Sequence, residues 1–207
     1  MKIFRYGRTE IDHLKKRDKK LGVAIDKIGM IGREVTPDLF TALVASVASQ
    51  QISAKAAETV WRRIKERLGA VTPSSIAGTT PEEIQQCGMS MRKARYIMEI
   101  GDAVASGSLD LEELQKIPDN EIVARLSDLD GVGVWTAEML LIFSMERPDV
   151  LSWGDLAIRR GMMRLYGRDT LDRAAFERYR KRYSPFGSVA SLYLWEISHW
   201  DEWKNPK

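Results

Sequence analysis

Asp155 is the residue best placed to do chemistry in this chain. It directly precedes Leu156, Ile158, Met162 and Leu165, an apolar pattern at helical spacing. An aspartate there is a natural helix N-cap, and most residues in that position do nothing else. A carboxylate so fixed can also stabilise positive charge developing on a reacting atom beside it. The second feature lies one helix upstream, in Leu129-Asp130-Gly131-Val132-Gly133-Val134. Gly131 and Gly133 admit backbone angles closed to other residues and leave their N–H groups uncovered. Because the start of a helix carries free N–H donors and a positive dipole end, a Gly-x-Gly turn entering one reads as a clamp for phosphate. Such turns also join packed helices that touch no ligand, so the spacing alone leaves both readings open.

Helices must hold both features. Ile122, Val123, Leu126 and Leu129 line one face of a helix running from Asp119 to Leu129, and Ala137, Leu140, Leu141 and Met145 line another that starts near Val134. Upstream, Asp38 to Ser49 buries Leu39, Phe40, Leu43, Val44 and Val47, and a further helix opens at Ser53. Thr80-Pro81-Glu82-Glu83 combines an N-cap, a first-turn proline and a capping-box glutamate. Ser90 caps a longer helix, with Arg92, Lys93 and Arg95 near its first turn. That is the wrong end for its own dipole, so these bases read as solubilising charge or a phosphate contact. An amphipathic helix around Ile11, Leu14 and Leu21 occupies the N-terminal region. The expected fold class is all-α.

Three segments together carry a resemblance. Ser49-Gln50-Gln51-Ile52-Ser53, the hairpin continuing into Trp135-Thr136-Ala137, and Asp155-x-x-Ile158-Arg159 follow one another in this order. In this the chain resembles the helix-hairpin-helix, Gly-Pro-Asp superfamily of DNA base-excision glycosylases, and within it the alkylbase type, 3-methyladenine DNA glycosylase II. The similarity spans roughly residues 36 to 200. It implies two helical lobes with an active-site cleft between them. Residues 36–147 would form the central lobe with the hairpin, and 1–35 plus 148–207 the lobe with the Asp loop. The start of the chain close to the first motif leaves no room for the N-terminal β-domain of some longer relatives.

The resemblance also assigns roles. Asp155 becomes the catalytic carboxylate. Gln51 falls at the wedge position that fills the gap left by a flipped base, braced by Ile52. Gly131, Val132, Gly133, Val134 and Thr136 would contact the DNA backbone, and the carbonyls of Leu129 and Val132 would hold a structural monovalent cation. Trp135 and Trp195 match positions lining the base pocket, where an aromatic face attracts a cationic alkylated purine. Bifunctional relatives carry a nucleophilic lysine two residues after the second hairpin glycine; here Trp135 stands there and cannot form a Schiff base. The expected enzyme is therefore monofunctional. It would hydrolyse the N-glycosidic bond of 3-methyladenine and 7-methylguanine type lesions in double-stranded DNA.

Several positions depart from the pattern. Met139 and Leu156 stand where longer relatives have pocket tyrosines, Asp130 replaces the usual hairpin proline, and Trp153-Gly154 replaces a proline or valine before the aspartate. Two alternatives stay open: a glycosylase for uracil, hypoxanthine or etheno bases, and a non-catalytic helix-hairpin-helix DNA-binding protein. Tyr193, Trp200 and Trp203 read as packing or rim residues.

Composition sets outer bounds. The formal charge of the 207 residues is +3, with positive residues gathered between Arg159 and Arg182. That is compatible with a nucleic-acid partner, although solvated helix faces look the same. Cys87 is the only cysteine, so a disulfide framework and the four-cysteine iron–sulfur cluster of the endonuclease III branch are excluded. His13 and His199 form no metal pattern, and no organic cofactor is implied. With no signal segment or membrane-length apolar run, the expectation is a cytoplasmic, nucleoid-associated monomer with no membrane partner.

Overall fold

The computed structural model describes residues 2–200, so Trp203 lies outside the described residues. Among the described residues, thirteen helices and one pair of two-residue strands make up the regular structure. The chain divides into two compact units, Met1–Val35 with Leu141–Lys207, and Thr36–Leu140.

The first unit begins with β1 (Lys2–Ile3), which pairs antiparallel with β2 (Glu34–Val35). Between them lie α1 (Arg8–Arg17) and α2 (Lys19–Ile28). The single amphipathic helix expected around Ile11, Leu14 and Leu21 is thus two. Asp18 breaks it, because its carboxylate caps α2 through Leu21 N–H at 3.0 Å and also accepts from Tyr166 Oη at 2.5 Å and Arg182 Nη1 at 3.2 Å. A buried aspartate satisfied by distant donors sets the break.

The second unit runs through α3 (Leu39–Ser49), α4 (Ala54–Leu68), α5 (Pro73–Ala77), α6 (Pro81–Gln85), α7 (Met91–Ala105), α8 (Leu111–Leu114) and α9 (Asp119–Ser127). Asp38, Ser53, Thr72, Thr80, Ser90 and Asp110 each cap the helix that follows with a side-chain oxygen. The capping box of Thr80 and Glu83 forms as its sequence indicates. The division between the units falls inside α10 (Val134–Phe143). Met145 lies beyond the end of that helix and is only half-buried, unlike Ala137, Leu140 and Leu141.

The first unit resumes with α11 (Leu156–Tyr166), α12 (Arg173–Tyr183) and α13 (Gly187–Ile197). Every residue of α13 except Glu196 is buried, so this helix is the axis on which the unit is built. Pressed against it, α11 approaches so closely at Gly161 that a Cβ there would lie 2.1 Å from the Leu194 carbonyl oxygen. No helix among the described residues is long and apolar enough to cross a membrane.

Candidate active site and DNA-binding hairpin

Asp155 caps α11, where its Oδ1 accepts the Ile158 N–H at 2.9 Å. Its Oδ2 accepts the Trp195 indole N–H at 3.2 Å. The residue is 6% exposed. Both carboxylate oxygens are therefore aimed by donors on two different helices, which leaves the side chain little rotational freedom. Trp195 is in turn stacked on Phe143, with ring centroids 5.5 Å apart and planes 28° from parallel. The indole read from the sequence as pocket lining is thus almost wholly buried, and its polar edge is engaged with Asp155.

The approach to Asp155 is locked by α13. Ser188 Oγ donates to the Arg147 carbonyl at 2.5 Å and accepts the Val150 N–H at 3.0 Å. Ser191 Oγ donates to the Val150 carbonyl at 3.0 Å. Asp149 accepts the Gly187 N–H at 3.0 Å and the Ser184 hydroxyl at 2.6 Å, capping a helix that has no side-chain cap of its own. Leu151 and Ser152 are buried, whereas Gly154 and Leu156 on either side of the aspartate are exposed, Leu156 by 69%.

In the other unit, α9 ends at Ser127 and the hairpin follows. Leu129 N–H donates to Leu126 O at 3.2 Å and Val132 N–H to Leu129 O at 3.1 Å, closing two tight turns before α10. Gly131 has φ +83°, and a Cβ on it would lie 2.3 Å from Cδ2 of the Tyr96 ring. Only glycine fits both demands. Gly133, Val134 and Trp135 are exposed and Thr136 is buried. The acid-free first turn of α10 therefore presents its opening N–H groups at an accessible surface. Trp135 is 48% exposed, and Met139, one turn further on, is half-buried.

The Ser49–Ser53 segment joins α3 to α4 and is tied to this hairpin. Gln50 Nε2 donates to the Gly131 carbonyl at 2.7 Å. Gln51 is exposed at φ +56°, a strained angle for a non-glycine residue, and Ile52 beside it is 39% exposed. Lys93 Nζ donates to the carbonyls of Ala48, at 3.1 Å, and Gln50. Burial pulls the Lys93 ammonium below the usual lysine range. Its charge is spent on the last carbonyls of α3, a helix with no basic residue in its own last turn. This corrects the reading of Lys93 as solubilising charge. Lys93 is on the wrong end of its own helix because it serves the C-terminus of another.

The C-terminal arginines are also less free than their number suggests. Arg160 donates to Ser198 O, Arg164 to Trp200 O and Arg168 to the Tyr179 hydroxyl, while Arg182 pairs with Asp18. Gln50, Tyr96 and Phe143 were not singled out as site residues by sequence reasoning, and Lys93 only as solubilising charge or a phosphate contact. Gln50 sits inside the Ser49–Ser53 motif and was the most accessible of the four to that reasoning.

Gly131→Ala is expected to cost about 3 kcal/mol, from the left-handed backbone angle and the collision with Tyr96. It should also weaken binding to a duplex containing an abasic-site analogue. Thermal melting and a binding titration check the two parts; an unchanged melting temperature would contradict the hairpin geometry.

Comparison with known proteins extends these local features to the whole chain. Residues 44–185 match the family described as HhH-GPD superfamily base excision DNA repair protein. DNA-3-methyladenine glycosylase 1 of Schizosaccharomyces pombe is 35% identical over 172 residues, covering 79% of this chain and 74% of that protein. A crystal structure of DNA-3-methyladenine glycosidase from Bacillus halodurans superposes with TM-score 0.86 at 33% identity, covering 96% of this chain and 93% of that one. The Schizosaccharomyces pombe 3-methyladenine DNA glycosylase in complex with abasic DNA gives TM-score 0.78 at 31% identity, covering 91% and 96%. With the hairpin, the capped aspartate and most of its length accounted for, this chain belongs to the HhH-GPD superfamily of base excision DNA repair proteins.

Proposed function

We propose that the chain is a monofunctional DNA glycosylase that releases alkylated purines, of the 3-methyladenine and 7-methylguanine type, by hydrolysis of the N-glycosidic bond. The observation that carries this reading is the Asp155 carboxylate, fixed at the N-terminus of α11 by Ile158 N–H and the Trp195 indole. As the bond from C1′ to the base nitrogen lengthens, its electron pair leaves with the base and the sugar gains oxocarbenium character. A carboxylate held against that sugar lowers the barrier electrostatically. Water then bonds to C1′ and loses a proton to Asp155 or solvent, leaving an abasic site. A purine methylated at N3 or N7 already carries positive charge, so it departs as a neutral base and needs no protonated acid. One aspartate suffices for that chemistry.

Trp135 has two roles in this reading. It occupies the position of the lyase lysine and offers no amine, and its half-exposed indole face can attract a cationic base, worth about 0.5–2 kcal/mol. Gln51 supplies the wedge, on a loop pinned by Lys93 and Gln50. The hairpin suits a monovalent cation at the carbonyls of Leu129 and Val132. The Val132 carbonyl takes no part in the turn's hydrogen bonds, the Ser127 hydroxyl nearby in sequence is buried without a partner, and Asp130 between the two carbonyls adds negative charge. When bound, such an ion would supply positive charge at the hairpin, favourable to a DNA phosphate.

The reading is tested on duplexes carrying single defined lesions. Release of 3-methyladenine and 7-methylguanine, with far slower release of uracil and hypoxanthine, is the expected pattern; preferential release of uracil would reassign the substrate. The product strand should stay intact until treated with alkali, and borohydride should trap no protein–DNA adduct. A trapped adduct would refute the monofunctional assignment.

A further inference from the structure

We propose that Trp153, Arg159 and Arg173 form a receptor for a backbone phosphate of the DNA, beside the Asp155 loop. Trp153 precedes the aspartate by two residues and lies edge-on to the buried Phe176 of α12, with centroids 5.2 Å apart. Over the same indole sit the guanidinium carbons of Arg159, at 4.8 Å from the ring centroid, and Arg173, at 5.2 Å. Arg159 is in the first turn of α11, where its N–H donates to the Asp155 carbonyl.

Arg159 differs from the other arginines of α11. Whereas Arg160 and Arg164 spend their donors on backbone carbonyls, the Arg159 side chain donates to no described residue, and its Nε is buried without a partner. Its guanidinium rests over the Trp153 ring. Among the described residues Arg173 has a single carboxylate partner, Glu177 at 2.9 Å, and its side chain is 60% exposed. The two guanidinium groups can be no further apart than the sum of their distances to the ring, so each raises the positive potential at the other. An anion lodged beside them would relieve that repulsion and use the planar fork of Arg159, whose geometry matches phosphate oxygens. The indole has already restricted the Arg159 side chain, so less entropy is lost when the anion binds.

DNA supplies the anion in a protein of this superfamily, and the exposed Gly154 and Leu156 leave the loop surface open to a strand. The Trp153-Gly154 pair that departs from the family pattern thus acquires a purpose: the indole replaces a small apolar residue and serves as the platform for two arginines. A phosphate held there would engage the strand through Arg159, whose backbone N–H is bonded to the Asp155 carbonyl.

The inference rests on the DNA-binding half of the function proposed above, not on base release. Its test is the affinity of the full chain for a duplex with a tetrahydrofuran abasic-site analogue, measured across a salt series. Arg159→Gln should weaken binding on the order of tenfold and lower the slope of log K against log salt by about one. Arg159→Lys should keep the slope. With single phosphates replaced by neutral methylphosphonate, one position near the abasic site should penalise the wild type but not Arg159→Gln. An unchanged salt slope, with every methylphosphonate penalising both proteins equally, would overturn the proposal. If circular dichroism shows Arg159→Gln unfolded, Arg173→Gln at the exposed side of the cluster is read by the same two criteria. Normal release of methylated bases by a wild type whose Arg159→Gln variant binds DNA equally well would defeat this inference and leave the glycosylase reading standing.

Discussion

Gly161→Ala is expected to remove about 3–5 kcal/mol of stability, a large share of the 5–15 kcal/mol typical of a folded protein. The added methyl would stand 2.1 Å from the Leu194 carbonyl oxygen and 2.8 Å from its carbon. Those are backbone atoms in the middle of α13, so no side-chain rotation can relieve the collision and α11 must move outward. Leu194 is followed by Trp195, the donor to Asp155. The same displacement that costs stability therefore loosens the carboxylate, and base release should fall with it. Urea denaturation followed by fluorescence checks the first effect and a release assay at a temperature where the variant is still folded checks the second. A variant as stable as the wild type would mean that α11 and α13 do not pack at the distance described.

The second large effect is on rate. Asp155→Asn should slow base release on the order of 100- to 1000-fold, because a neutral amide cannot balance the charge that develops on the sugar. The substitution is chosen to separate chemistry from folding. Asparagine caps helices as well as aspartate does, so the Ile158 N–H keeps its acceptor. An amide has one oxygen where the carboxylate has two, however, and the Trp195 N–H then faces an amide nitrogen. One unpaired buried donor costs about 1–3 kcal/mol, which lowers the melting temperature by about 2–4 °C per kcal/mol in a protein of this size. Affinity for an abasic-site duplex should be retained. A variant that melts slightly early, binds normally and fails to release base is the signature expected.

What could be read from the sequence was what neighbours in the chain decide. The Thr80–Glu83 capping box, the Ser53 and Ser90 caps, the Gly131 turn and the Asp155 cap are all set by residues within a few positions of one another. The break at Asp18 was missed because the donors that reward it, Tyr166 and Arg182, are far along the chain. Lys93 was misread for the same reason: its acceptors, Ala48 and Gln50, belong to another helix. Trp195 was read as pocket lining, and nothing local shows that its indole N–H points at a carboxylate 40 residues earlier. Nor could counting distinguish Arg159, which has unspent donors, from Arg160 and Arg164, which have none to spare at their bonded nitrogens.

In the function proposed above, Asp155 drives the breaking of N-glycosidic bonds of alkylated purines. Single-turnover release of 3-methyladenine from methylated duplex DNA, with wild type and Asp155→Asn compared at saturating protein, tests it most directly. The wild type should release base promptly and the variant at a rate lower by at least two orders of magnitude, with both proteins bound to the DNA. Equal release by the two proteins, or binding without release by the wild type, would contradict it.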